Sequence, residues 1–215
     1  MRSNNERNKV SGFKNAKNSN PVGNFLIDDI FAGIKDGKFR GKVEQLRSIE
    51  DKNAYAEAKT NLPSVTISGT FSQRNNKSLI KHSGLICLDI DNLDKVEMVK
   101  ATIKNDRFVY AIFTSVSGNG LAIIVRIEPD QEKHFSAFQR LKDYFLMLYG
   151  IEIDKGCGDI SRLRFLSYDP VMHINTKAEV FKVSASSSVP NKATDEVTRN
   201  EKGWFVEAMK GVGEG

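Results

Sequence analysis

The stretch Gly84-Leu85-Ile86-Cys87-Leu88-Asp89-Ile90-Asp91-Asn92-Leu93 constrains the fold of this chain more than any other. Five of the six residues from Leu85 to Ile90 are apolar, the composition of a strand buried on both faces. Its C-terminal end carries two carboxylates at i and i+2, which an extended backbone places on one face, close together. Like charges so placed repel, and a carboxylate leaving water costs free energy unless something offsets it. A divalent cation such as Mg2+ or Mn2+, held through oxygen, is one solution. The other is that the strand ends at Asp89 and that Asp91-Asn92 begin a turn. Spacing alone leaves both open.

Charge narrows the choice. Residues 1–88 carry 15 Lys/Arg against 8 Asp/Glu, and the remainder 17 against 19. No acidic residue occurs between Ala58 and Leu88, where Lys59, Arg74, Lys77 and Lys81 stand. A basic segment leading into a carboxylate pair fits a polyanion held next to a metal, and these four are the candidate nucleic-acid contacts; a solvated basic face is the plainer alternative. With 40% hydrophobic residues among 215, the chain suits one domain with a real core plus some extra chain. No apolar run approaches a membrane span, and the N-terminus lacks the apolar core of a secretory signal. Cys87 and Cys157 form no paired framework, which suggests a reducing, cytoplasmic setting; with three scattered histidines they do not suggest zinc.

Along the chain, residues 1–20 are polar and read as a disordered tail. Apolar spacing predicts a helix from Asn24 to Ile34, and a second from about Ser48 to Thr60, ended by Leu62-Pro63. Ser64 to Phe71 alternates and reads as a strand. After the carboxylate strand come a helix from Asp94 to Asn105 (Asp94 and Glu97 as a capping pair) and a hairpin of Phe108–Thr114 and Leu121–Ile127. Its connection, Ser115-Val116-Ser117-Gly118-Asn119-Gly120, has glycines that permit positive φ and close backbone approach; a simple tight turn is the alternative. His134 to Tyr149 is an amphipathic helix, Ile151 to Asp154 a short strand, and Ser161 to Tyr168 a strand with Arg162 and Arg164 on one face. Those arginines need anionic partners, either phosphates or the nearby Asp154, Asp159 and Asp169. Residues 184–194 read as a flexible linker and 195–215 as the start of a helical domain cut short. This order predicts an α+β fold with a mixed, mostly antiparallel sheet and helices on one side, in a ferredoxin-like or RRM-like arrangement across residues 21–183.

The strings SGTF, SGLICLDIDNL, SVSGNGL and GDISRLRFLSYDP, in this order and spacing, resemble the archaeo-eukaryotic primase superfamily. The nearest branch is the primase-like domains of mobile elements and phages, related to the VirE N-terminal type. The resemblance covers roughly residues 40–180. It implies a primase-polymerase catalytic core: template-directed nucleotidyl transfer from NTPs or dNTPs by a two-metal site of Mg2+ or Mn2+, on single-stranded DNA, in replication. By that carry-over Asp89, Asp91 and Asp154 are the catalytic metal ligands, with Asp159 a poorer third candidate. Ser115, Ser117, Gly118 and Gly120 approach the nucleotide phosphates, and Arg162 and Arg164 hold the triphosphate or template backbone. A helicase-like domain further along the same polypeptide is the implied partner. Leu121 and Ala122 stand where many relatives carry a histidine, which keeps a second expectation alive: a catalytically degenerate module that binds single-stranded DNA. A metal-dependent nuclease is a third, since paired carboxylates also serve phosphodiester hydrolysis.

Overall fold

The computed structural model describes residues 8–183. The expected linker and C-terminal helical segment, 184–215, lie outside the described residues, as do residues 1–7. In chain order the elements are β1 (Lys9–Phe13), β2 (Gly23–Leu26), α1 (Ile27–Lys35), α2 (Arg40–Arg47), α3 (Lys52–Thr60), β3 (Ser64–Thr66), β4 (Gly69–Phe71), β5 (Leu79–His82) and β6 (Leu85–Ile90). There follow α4 (Val96–Ile103), β7 (Val109–Thr114), β8 (Leu121–Arg126), α5 (Gln131–Tyr149), β9 (Arg164–Phe165) and β10 (His173–Ile174). The fold is α+β, and its named strand pairs are all antiparallel.

Among the described residues three sheets form, with strand orders β2-β1-β3-β9, β10-β7-β8-β6 and β4-β5. In the second, β6 and β7 are joined through α4 while β8 lies between them, which is the split βαβ arrangement. Alternation along β6 serves two layers. Ile86, Leu88 and Ile90 pack with Val99 and Ile103 of α4 and with Phe138, Leu141 and Phe145 of α5. Leu85 and Cys87 turn to the other layer, where Ile27, Phe31 and Ile34 of α1 meet Val10, Val65, Phe113 and Ile124. Helices therefore cover both faces of this sheet, not one.

Several expectations change. Residues 9–13 are a central strand of the first sheet, not part of a tail. Their polar character is used internally: Ser11 Oγ donates to Asn24 Oδ1 at 2.8 Å and accepts from the Phe71 amide at 2.9 Å, while the Phe25 ring lies over Gly12. The helix expected from Asn24 starts at Ile27, because Gly23–Leu26 pair with β1. The strand expected over 64–71 breaks at Ile67-Ser68, where the chain leaves β3 for the separate β4-β5 ribbon. Asp94 caps no helix; α4 begins at Val96 without a side-chain cap. The expected strand 151–154 is not regular, although the Asp154 amide donates to the Asp89 carbonyl at 2.9 Å and so lies along the free edge of β6. Of Ser161–Tyr168 only Arg164 and Phe165 form a strand.

Candidate functional site

The site grows from the end of β6. Asp89 continues the Leu85/Cys87 face and is buried. On the edge not paired with β8, its backbone is met by a loop: Asp154 N–H donates to its carbonyl, and its own N–H donates to Cys157 Sγ at 3.2 Å. A one-turn 3-10 helix, Lys155–Gly158, capped by Asp154 through the Gly156 amide, holds that loop in place. Docking brings the two carboxylates into one neighbourhood.

Two arginines neutralise them. Arg164, on β9, pairs with Asp89 Oδ1; Arg162 lies 3.3 Å from Asp89 Oδ2 and bonds Asp154 Oδ2. Burial differs sharply: the Asp89 and Arg164 side chains are 8% and 11% exposed, whereas Arg162 and Asp154 are both 35% exposed. The inner pair is therefore a desolvated ion pair and the outer one a wet one. Gly156 leaves room for the outer pair: a Cβ there would press on Arg162 Nη1, and the guanidinium would have to shift. Burial raises the Cys157 thiol well above its ordinary range, so it is protonated at neutral pH. A small pocket lined by Ser68, Cys87, Asp89, Cys157, Arg162 and Arg164 opens beside the pairs.

Asp91 stands apart. β6 stops at Ile90, Asn92 takes a left-handed φ of 56°, and Asp91 is exposed. Donor atoms of Asp89, Asp154 and Cys157 lie within 4.8 Å of one another; Asp91 is outside that cluster. Of the expected ligands Asp89, Asp91 and Asp154, the structure brings Asp89 and Asp154 together with the Cys157 thiol, while Asp91 lies just past the end of β6. Asp91 instead faces the glycine-rich loop: a Cβ on Gly120 would lie 2.6 Å from Ile90 O, 3.0 Å from Ser115 Oγ and 3.4 Å from Asp91 Oδ1. Within the loop Ser115 and Ser117 hydroxyls are 2.9 Å apart, Ser115 N–H donates to Gly120 O at 2.8 Å, and Gly118 has φ of 86°. The loop is seated on the end of β6.

Of the four basic candidates, Lys59 adjoins these groups. It is half-buried over the Phe165 ring, and burial lowers its pKa, with Arg164 and Arg162 adding to the effect and Asp91 opposing it. Arg74 is committed elsewhere: its Nη2 donates to Ala16 O at 3.0 Å. Lys77 sits in the turn between β4 and β5, and Lys81 on β5. Asp159 does not join the carboxylates; it accepts from Ser161 N–H at 2.8 Å. Asp169 neutralises neither arginine, being buried against Lys100 at 2.6 Å. Three residues near the site had no signal in the sequence. Cys157 lay in an unremarkable loop, while Arg47 and Tyr55 come from α2 and α3, far from the motifs.

Residues 57–173 match the family model described as BT4734-like, N-terminal domain, which is more than half of the chain. The matched residues include both carboxylate positions, the glycine-rich loop and both arginines, while β1, β2, α1 and α2 precede them. No curated protein and no solved structure matches the chain.

Proposed function

The chain belongs to the BT4734-like N-terminal domain family, and we propose that it is a primase-polymerase domain, joining nucleotides on a single-stranded DNA template in replication of a mobile element or phage. One observation carries the reading: paired carboxylates and paired arginines converge at the end of β6, an edge strand of the second sheet, beside a glycine-rich loop. Nucleotidyl transfer asks a protein mainly for carboxylates to hold divalent cations and for positive charge around the triphosphate.

The donor set fits a hard cation through oxygen. Asp89 and Asp154 would hold it, with Asp91 at the outer end near the loop; the protonated Cys157 thiol is a poor ligand. Mg2+ or Mn2+ bound there would polarise the attacking hydroxyl and offset charge on the departing pyrophosphate. Both carboxylates are now engaged by Arg162 and Arg164. The arginines therefore have an exchange to make: they release carboxylate oxygen and take up phosphate oxygen, for which a guanidinium fork is equally suited. Lys59 adds charge on the same side.

Extension of a labelled primer on single-stranded DNA with Mn2+ or Mg2+ tests this. Product that disappears in Asp89→Ala supports it, and undiminished product in that variant contradicts it. A second reading has its own observation: both oxygens of Asp89 are already satisfied, so the cluster is charge-balanced without a ligand. On that reading the domain binds single-stranded DNA without chemistry. It predicts salt-sensitive DNA binding that survives Asp89→Ala, with no nucleotide incorporated under either metal.

A further inference from the structure

The segment Ser115–Ala122 contains no charged side chain, although the proposed reading sets it against a triphosphate. Its cation arrives from elsewhere. Arg47, in the last turn of α2, donates through Nε to Val116 O at 3.1 Å and through Nη2 to Ser115 O at 2.9 Å. Gly118 makes room: its φ is 86°, and a Cβ there would lie 3.3 Å from Arg47 Nε.

The loop is held at several points. Val116 is buried in a cluster with Val43 and Leu46 of α2 and with Leu62. Ser115 O also accepts from Gly118 N–H at 3.0 Å. Arg47 thus engages carbonyl oxygens that would otherwise repel a phosphate. A guanidinium has five N–H donors in a rigid fork; Arg47 spends two on the loop and is exposed. Beside it on α3, the buried Tyr55 hydroxyl faces the Ser117 hydroxyl of the same loop, with Arg47 and Asp91 as its charged surroundings.

We propose that Arg47 is a positioning residue of the nucleotide site: it fixes the 115–120 loop and gives an otherwise neutral loop its positive charge. This rests on the nucleotidyl-transfer reading. It also assigns a working role to α2, which precedes the residues that match the family.

The test uses the full chain and compares wild type with Arg47→Gln and Arg47→Lys. Metal-free binding of inorganic tripolyphosphate is measured by calorimetry, nucleotide KM and kcat by primer extension, and amide hydrogen exchange across residues 115–120. Arg47→Gln is expected to weaken tripolyphosphate binding about tenfold or more, as loss of a charge-assisted contact does. It should raise KM more than it lowers kcat and speed exchange in the loop. Arg47→Lys, which keeps the charge but not the fork, recovers part of the affinity and little of the protection. Wild-type affinity and KM in Arg47→Gln overturn the proposal, whatever happens to the melting temperature, and leave the function reading intact. Wild type that neither binds tripolyphosphate nor makes product overturns that reading, and this proposal with it.

Discussion

At the scale of single residues, the two ion pairs differ in what their loss costs. Asp89→Asn leaves Arg164 charged, 11% exposed and without its carboxylate; breaking a buried pair on one side costs about 3 kcal/mol or more. The Asp154–Arg162 pair is a third exposed on both sides, so Asp154→Asn costs less than about 1 kcal/mol. Urea unfolding of the two variants checks the order, and equal losses would refute the distinction between inner and outer pairs. Gly156→Ala, which brings a methyl against Arg162 Nη1, should shift the guanidinium and weaken phosphate binding, though less than Arg162→Ala does, because the charge is kept. At this scale the sequence was most informative about charge. Carboxylates and arginines in strand-like spacing could be seen to need one another; spacing left open whether Asp91 continues the strand or begins a turn, and the backbone leaves the strand after Ile90, with Asn92 at a left-handed φ of 56°.

At the scale of elements, a histidine pair ties the β4-β5 ribbon to α5. Gly84 N–H donates to His82 Nδ1 at 2.9 Å, so the His82 proton is on Nε2 and goes to His134 Nδ1 at 3.1 Å. The remaining His134 proton, on Nε2, is buried without a partner. Burial holds the pKa of His82 down to about 4, with Asp130 opposing. Burial, then the neighbouring His82, holds His134 down to about 3, with Asp159 opposing. Both folded values lie below the unfolded value near 6.5. The unfolded chain therefore takes up protons first, and the stability that is full above pH 6.5 is lost as pH falls toward 4. The urea midpoint should drop over that window, and less steeply in His134→Gln; a flat profile in wild type would contradict the pairing. A second tie is the buried Lys100–Asp169 pair, which joins α4 to the chain after β9, with Asp169 also accepting from Thr114 N–H at 2.7 Å. Lys100→Met should destabilise by about 3 kcal/mol in urea unfolding. Periodicity revealed β6, β7, β8 and α5 because apolar residues recur there at strand or helix spacing. It missed β1, whose Ser11 and Gly12 look like loop residues until their partners are known, and α2, whose eight residues bury only Val43 and Leu46.

At the scale of the whole molecule, the site is assembled from segments far apart in the chain. β6 supplies Asp89, the loop after α5 supplies Asp154, β9 supplies Arg164, and Arg47 reaches a loop 68 and 69 positions later. The layers explain how: α4 and α5 fix one face of the second sheet, while the N-terminal sheet and α1 close the other and carry β9 with β3. Long-range convergence of this kind leaves no local pattern, which is why the motif residues could be named in advance and their supports could not.

The central claim, that the carboxylate–arginine cluster is a nucleotidyl-transfer site, is tested most directly by primer synthesis on unprimed single-stranded DNA with Mn2+ or Mg2+. Wild type, Asp89→Ala/Asp91→Ala and Arg162→Ala would be compared, each checked for folding by its unfolding curve. The account predicts product from wild type, none from the double variant and a raised nucleotide requirement in Arg162→Ala. Folded wild type that binds the DNA but synthesises nothing with either metal would contradict it and leave the binding module in its place.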